Sequence, residues 1–340
     1  MTMFAQRLPG MAMAGLAAAL TVASAAADEL DSVKFGTNWL AEAEHGGFYQ
    51  AVADGTYRSY GLNVTIVPGG PQSNNRMLLP VGKIDFYMSA NSLHAFNALE
   101  QQIPTITVAA MFQKDPQVII AHPDQGIEKF DDLKRLTVYV SREGLASYYQ
   151  WMKADFDFKE EQTRPYTFNL QPFLADKRSA VQGYVTSEPY AVEKQGGFKP
   201  KIFLLADQGF DSYSTLIETR TELVDKKPDL VRRFVDASII GWYRYLYGDG
   251  KAANTLIKKD NPEMTDELIA FSIGKLKEYD IVDWGDALRS GIGAMTDARM
   301  ASFLGKMVRA GVVSSAIDFR RTYTSQFVNK GVGLDLRAKN

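Results

Sequence analysis

The stretch FGTNWLAEAEHGGFY, Phe35 to Tyr49, decides the fold. It begins as a strand, with Val33 and Phe35 alternating with Lys34 and Gly36, and breaks off at Thr37-Asn38-Trp39. A loop carrying Glu42, Glu44 and His45 follows, and Gly46-Gly47 hands over to an apolar helical run, Phe48, Tyr49, Ala51 and Val52. Asn38, Trp39 and His45 therefore fall at the C-terminal edge of the first strand, just before a helix N-terminus. Ligands of open α/β sheets bind outside that edge, where the helix dipole and free N–H groups favour polar or anionic atoms. The stretch is expected to be the floor of a ligand site.

Outward from it, strand-like and helix-like segments alternate for about two hundred residues. A helix over Phe48–Tyr60 leads to an alternating strand, Leu62–Val67, closed by Pro68-Gly69-Gly70-Pro71. A short helix, Asn74–Val81, precedes the strand Ile84–Met88; Ser92 is a candidate cap for the helix Leu93–Leu99, and Thr105–Met111 is a strand. A second set begins near Val118–Ala121 and continues with strands at Leu136–Val140, Thr167–Leu170, Gly183–Val185 and Lys201–Leu205. Helices are expected there at Leu145–Asp155 and Phe173–Val181. This rhythm argues for mostly parallel sheets. After the strand Thr215–Thr219 the chain is chiefly helical, with apolar residues at helical spacing in Pro228–Leu246, Gly250–Lys259, Thr265–Glu278 and Asp297–Ala310. The fold class read from this order is α/β with two lobes, a ligand cleft between them and C-terminal helices packed on the first lobe. Residues 28–115 and 213–340 would form lobe 1, and 116–212 lobe 2. A cleft between lobes is a favoured small-molecule site, and hinge closure is a known behaviour of such architectures.

Residues 1–27 read as a secretory signal: Arg7, an apolar run from Met11 to Ala23, and Ala25-Ala26-Ala27 before Asp28. The chain has no cysteine, which excludes disulfides, thiol nucleophiles, Cys-ligated metals and a lipidation site. The expectation is a free periplasmic protein without a lipid anchor, acting as a monomer. A net charge of −2 with interspersed signs gives no basis for nucleic-acid or anionic-membrane partners.

At the level of motifs, NWLAEAEHGGFYQA (Asn38–Ala51), GLNVTIVPGGPQ (Gly61–Gln72), VGKIDFYMSA (Val81–Ala90), DDLKRLTVYVS (Asp131–Ser141) and VQGYVTSEPYA (Val181–Ala191) resemble the NMT1/THI5-like periplasmic solute-binding proteins. The first and last are fairly specific; the middle three recur in related sulfonate and nitrate receptors. The resemblance spans nearly the whole chain after the signal. It implies a type II periplasmic-binding-protein fold and service to an inner-membrane ABC permease. The implied ligand is a planar nitrogen heterocycle: a thiamin-precursor pyrimidine such as hydroxymethylpyrimidine or formylaminopyrimidine, or riboflavin. The alternatives are a sulfonate- or nitrate-type receptor and a pyrimidine-synthase-like enzyme using PLP. That enzyme's relatives carry a cysteine-rich iron motif absent here, and PLP calls for a Schiff-base lysine, for which no lysine stands in a recognisable setting. The reading is therefore no enzyme, no metal and no cofactor.

The candidate ligand contacts follow from residue chemistry at strand ends. Trp39 offers a ring for stacking a flat ligand or a core anchor, and Asn38 offers a donor and an acceptor. His45 reads as a contact or a loop residue, because no paired histidine spacing exists for a metal. Glu188 would accept N–H bonds from an aminopyrimidine or cap the next helix, with Tyr184 or Tyr190 as the second aromatic wall. Gln72, Ser89 and Asn91 are polar candidates on the first-lobe edge, and Gly144 opens a second-lobe helix beside Arg142 and Ser147. The run Trp242–Tyr247 points its rings around a helix axis and is assigned to packing.

Overall fold

Ten strands form two five-stranded sheets in the computed structural model, which describes residues 1–3, 29–71 and 73–337. The expected signal segment, apart from its first three residues, lies outside the described residues. The strands are β1 (Asp31–Gly36), β2 (Leu62–Val67), β3 (Phe86–Asn91), β4 (Thr105–Phe112), β5 (Gln117–Ala121), β6 (Thr137–Val140), β7 (Thr163–Pro165), β8 (Ser179–Tyr184), β9 (Lys201–Leu204) and β10 (Ser214–Arg220). The first sheet has the order β2-β1-β3-β10-β4 and the second β7-β6-β8-β5-β9. The chain thus builds most of one sheet, crosses to build the whole of the second, and returns with β10 to complete the first.

The sheets are mixed rather than mostly parallel. β1 pairs in parallel with β2 and β3, but β10 runs antiparallel to β3 and β4. In the second sheet β6 is parallel to β7 and β8, whereas β5 is antiparallel to β8 and β9. The strands that carry the chain between the two sheets, β5 and β10, are those that reverse direction.

Close packing explains the double glycine of the opening stretch. The helix Gly46–Ala53 lies against the long helix Pro228–Tyr247. A Cβ on Gly46 would sit 1.9 Å from the Tyr245 ring, and one on Gly47 2.2 Å from Trp242. Phe35, Phe48, Phe86, Phe234 and Trp242 interlock behind them, Phe86 and Phe234 stacking at 4.0 Å. The Tyr-rich run is therefore core, as its helical spacing implies. The C-terminal helices also reach the second sheet's side. In the helix Asp266–Glu278, the Ser272 hydroxyl donates to the Thr186 carbonyl at 2.7 Å and Phe271 packs on Tyr190.

Several local expectations are corrected. The helix over Phe48–Tyr60 is two helices, Gly46–Ala53 and Thr56–Ser59, separated at Gly55, whose φ of 78° is a left-handed break. Thr167–Leu170 is not a strand; β7 lies just before it, and Phe168 itself has a positive φ of 62°. The helix expected over Phe173–Val181 ends at Ala175, because Ser179 onward pairs with β5 and β6. Asn91, not Ser92, caps the helix Ser92–Glu100: its side chain accepts from the Leu93 N–H at 3.1 Å.

Candidate ligand-binding site

A cavity of about 410 Å³ opens between the two sheets. On the first-sheet side it is lined by the loop after β1 (Asn38, Trp39, Glu42, Glu44, His45), the Gly70-Pro71 turn, and the C-terminal edge of β3 (Tyr87, Met88, Ala90, Asn91). The second side contributes Ser141, Gly144, Tyr148 and Phe168, then Gln182 and Tyr184 at the end of β8 and Glu188 at the start of the helix that follows. Asp115 and Gln117 at one crossing, and Ser214 and Thr215 at the other, close the back.

The first wall is held open by backbone geometry. Trp39 accepts the Gly69 N–H through its carbonyl at 3.0 Å, and the Thr37 hydroxyl donates to the same carbonyl at 2.9 Å. A side chain at Gly69 would strike the Thr37 carbonyl at 2.5 Å, so Gly69 lets the two loops touch. The Pro-Gly-Gly-Pro turn therefore buttresses the strand end that presents Asn38 and Trp39. Trp39 faces Phe168 across the cleft, ring centroids 5.5 Å apart and tilted by 40°. Phe168 is 61% exposed, so its ring is open to solvent and to whatever enters the cleft.

The second wall is organised by Glu188. Its Oε2 accepts from the Tyr184 N–H and the Ser187 hydroxyl, both at 2.7 Å. Gly183 makes this possible, since a Cβ there would lie 2.6 Å from that of Glu188. Gln182 accepts from the Ser141 N–H at 2.5 Å and the Tyr148 hydroxyl at 2.8 Å. Besides the Trp39–Phe168 contact, polar side chains also meet across the cleft. The Thr186 hydroxyl donates to Glu44, and His94 meets Glu143 at 3.2 Å.

Electrostatically the cavity is acidic. Glu42, Glu44, Asp115, Glu143 and Glu188 line it, and among the described residues no lysine or arginine does. Burial, and then the neighbouring Glu44 and Glu188 carboxylates, hold Glu42 well above the usual carboxylate range. Burial likewise raises Glu44, against the bond from Thr186, and raises Glu188. Asp115 is pushed up to about 6 by burial, although it accepts from the Gln117 N–H at 3.0 Å. Glu143 goes the other way, lowered first by its bond to His94. His45 is driven down to about 3 by burial and is neutral. It is fully buried, and neither ring nitrogen has a hydrogen-bond partner.

The sequence-derived candidates divide cleanly. Asn38, Trp39, His45, Asn91, Gly144, Tyr184 and Glu188 converge on the cavity, with Ser147 beside them. Ser89 does not line it: it is fully buried within β3. Tyr190 does not line it either, being packed at 5.4 Å on Phe271 of a C-terminal helix. Gln72 lies outside the described residues. Arg142 is exposed and outside the lining, and the Gly144 N–H that an anion would use already donates to Ser141 at 3.0 Å. Phe168, inside the expected strand Thr167–Leu170 but not among the candidate contacts, also lines the cavity, opposite Trp39, as does the candidate Tyr184. Asp115, His94, Tyr148 and Gln182 line the cavity without being among the candidates; only the expected lobe boundary at residues 115 and 116 gives a signal, for Asp115.

Comparison with known proteins gives this geometry a lineage. The family model described as NMT1/THI5 like matches residues 42–249, from the loop after β1 through both sheets to the end of the long helix. The chain belongs to the NMT1/THI5-like family. Among curated relatives it is 24% identical to a riboflavin-binding protein, RibY of Chloroflexus aurantiacus, over 93% of this chain and 92% of that protein. It is 23% identical to a formylaminopyrimidine-binding protein of Halalkalibacterium halodurans, over 73% and 76%. Among solved structures, the periplasmic aliphatic sulphonate binding protein SsuA from Escherichia coli superposes with a TM-score of 0.65 at 14% identity, covering 86% of this chain and 91% of that one. The same fold occurs in a desulfurization enzyme, DSZB, at a TM-score of 0.55 and 12% identity, covering 87% and 97%. These structural likenesses show the two-lobed periplasmic-binding-protein fold.

Proposed function

We propose that this protein is the substrate-binding component of an ABC importer, working outside the cytoplasmic membrane, and that its lobes close over a planar nitrogen heterocycle. Residues 28–115 with 213–340 form one lobe of this reading and 116–212 the other. The ligand class is a thiamin-precursor pyrimidine, such as hydroxymethylpyrimidine or formylaminopyrimidine, or riboflavin. The observation that carries it is the meeting in one cavity of an aromatic surface, Trp39 in contact with Phe168, and a wall of hydrogen-bond acceptors led by Glu188. A flat ring stacks on the face of such an aromatic surface, and its N–H groups donate to carboxylates.

The same wall argues against a sulfonate or nitrate. Those anions need cationic or N–H-rich pockets, whereas buried carboxylates dominate here and the nearest helix N–H is already used. A PLP enzyme would need a lysine in the cavity, and none lines it among the described residues. A thermal-shift panel tests the reading. The true ligand raises the melting temperature in proportion to RT ln(1 + [L]/Kd). Stabilisation by taurine or nitrate, with none by pyrimidines or riboflavin, would overturn it.

A further inference from the structure

The cleft's polar inventory is unbalanced, and the imbalance is concentrated at one end. Glu42, Glu44 and His45 stand together on the turn that follows the Trp39 loop, all three lining the cavity. The Glu44 carboxylate is fixed by the Thr186 hydroxyl from the opposite wall, so it is held in place rather than free to swing out to water. Glu42 lies 3.7 Å from the His45 ring, beyond hydrogen-bonding distance. Both His45 nitrogens are buried without a partner, as is the Asn38 Oδ1 acceptor on the adjoining loop. His45 supplies no counter-charge, since burial keeps it neutral. The other basic group of the lining among the described residues, His94, is engaged with Glu143.

Buried carboxylates without a cationic partner are costly, and an unpartnered buried polar atom costs about 1–3 kcal/mol. Among the described residues no lysine or arginine lines the cavity, so a cationic ligand is the natural source of the matching charge and would draw the protons off carboxyls that burial has raised. We propose that Glu42, Glu44 and His45 form a subsite for a cationic nitrogen group, a protonated amine or an amidinium, carried by the ligand. The receptor then selects cationic heterocycles over neutral ones of the same shape. Two carboxylates take the N⁺–H donors, while the neutral imidazole offers one ring nitrogen as a further acceptor. This rests on the heterocycle reading and narrows it: stacking by Trp39 and Phe168 accepts any flat ring, and the acidic turn chooses its charge.

An isosteric pair of probes separates the two ideas. 4-Amino-2-methylpyrimidine bearing an aminomethyl group at C5 is a cation at neutral pH, whereas the hydroxymethyl analogue is neutral and of nearly the same size. Titration calorimetry of the whole protein should give the aminomethyl compound an affinity on the order of tenfold or more above its partner. In Glu42→Gln and Glu44→Gln the ratio between the two probes should fall to about threefold or less. A glutamine at 44 keeps an acceptor for Thr186, and the Glu42 variant gives a second reading if the first is unstable. Equal binding of both probes by the wild type would overturn the cation subsite and leave the heterocycle reading standing. A ratio unchanged in both variants would remove the subsite from this turn, and no binding of either probe would count against both ideas.

Discussion

Glu188 and Trp39 do different work at the cleft, and substitutions should separate them. Glu188 already accepts two bonds on Oε2, which orients the carboxylate toward the cavity before any ligand arrives. Glu188→Gln should weaken a pyrimidine probe by about 1.5–3 kcal/mol, the worth of a charge-assisted bond. Calorimetry reads it, and an unchanged Kd would remove Glu188 from the contact set. Trp39→Ala should cost about 1–2 kcal/mol of affinity through lost stacking and burial. Its effect on unfolding should be smaller, because Trp39 is only partly buried. Equal losses in affinity and stability would instead make it a core residue. Tyr190, seated on Phe271, is the natural control: Tyr190→Ala should lower stability and leave the probe's Kd near the wild-type value.

At the scale of elements, the opening stretch shows what local pattern can and cannot reveal. The strand β1, its break at Thr37-Asn38-Trp39 and the following helix are all legible from alternation and spacing. So is the placement of Asn38, Trp39 and Glu188 at strand ends facing one cleft. The role of Gly46-Gly47 is not legible, because it depends on Trp242 and Tyr245, some two hundred residues away. Phe168 is hidden for a similar reason: its stretch reads as the strand Thr167–Leu170, but it is irregular and Phe168 takes a positive φ, so strand alternation says nothing of where its ring points. Tyr190 and Ser89 fall outside the lining because the strand β3 runs on to Asn91 and buries Ser89, while Tyr190 lies in the helix Glu188–Gly196 with its ring on Phe271. The antiparallel strands β5 and β10 were hidden too, since direction is set by the chain's crossings rather than by composition. The glycine interpretation makes its own prediction. Gly47→Ala places a methyl against Trp242 and should destabilise the fold by about 1–3 kcal/mol, seen as a lower urea midpoint at an unchanged m-value. A midpoint equal to wild type would mean the two helices separate freely.

At the scale of the whole molecule, the cleft is held by contacts from both sheets: Thr186 to Glu44, His94 to Glu143, and Trp39 against Phe168. The acidic lining links this cleft to pH. Asp115 has an ordinary value of 3.8 that burial raises to about 6. Between those values the folded protein holds a proton that the unfolded chain releases. The resulting stability is therefore fully present below about pH 4 and lost as pH rises through about 6, on the order of 2–3 kcal/mol in all. Asp115→Asn should gain stability over wild type at pH 7 and much less at pH 4, by urea denaturation. The same difference at both pH values would contradict it. The central claim is that this acceptor-lined, aromatic cleft takes a donor-bearing heterocycle and not an oxyanion. Titration calorimetry of the protein with hydroxymethylpyrimidine, riboflavin, taurine and nitrate tests that claim most directly. The account predicts saturable one-to-one binding of at least one heterocycle and none of either anion; binding of taurine or nitrate with no heat from the heterocycles would contradict it.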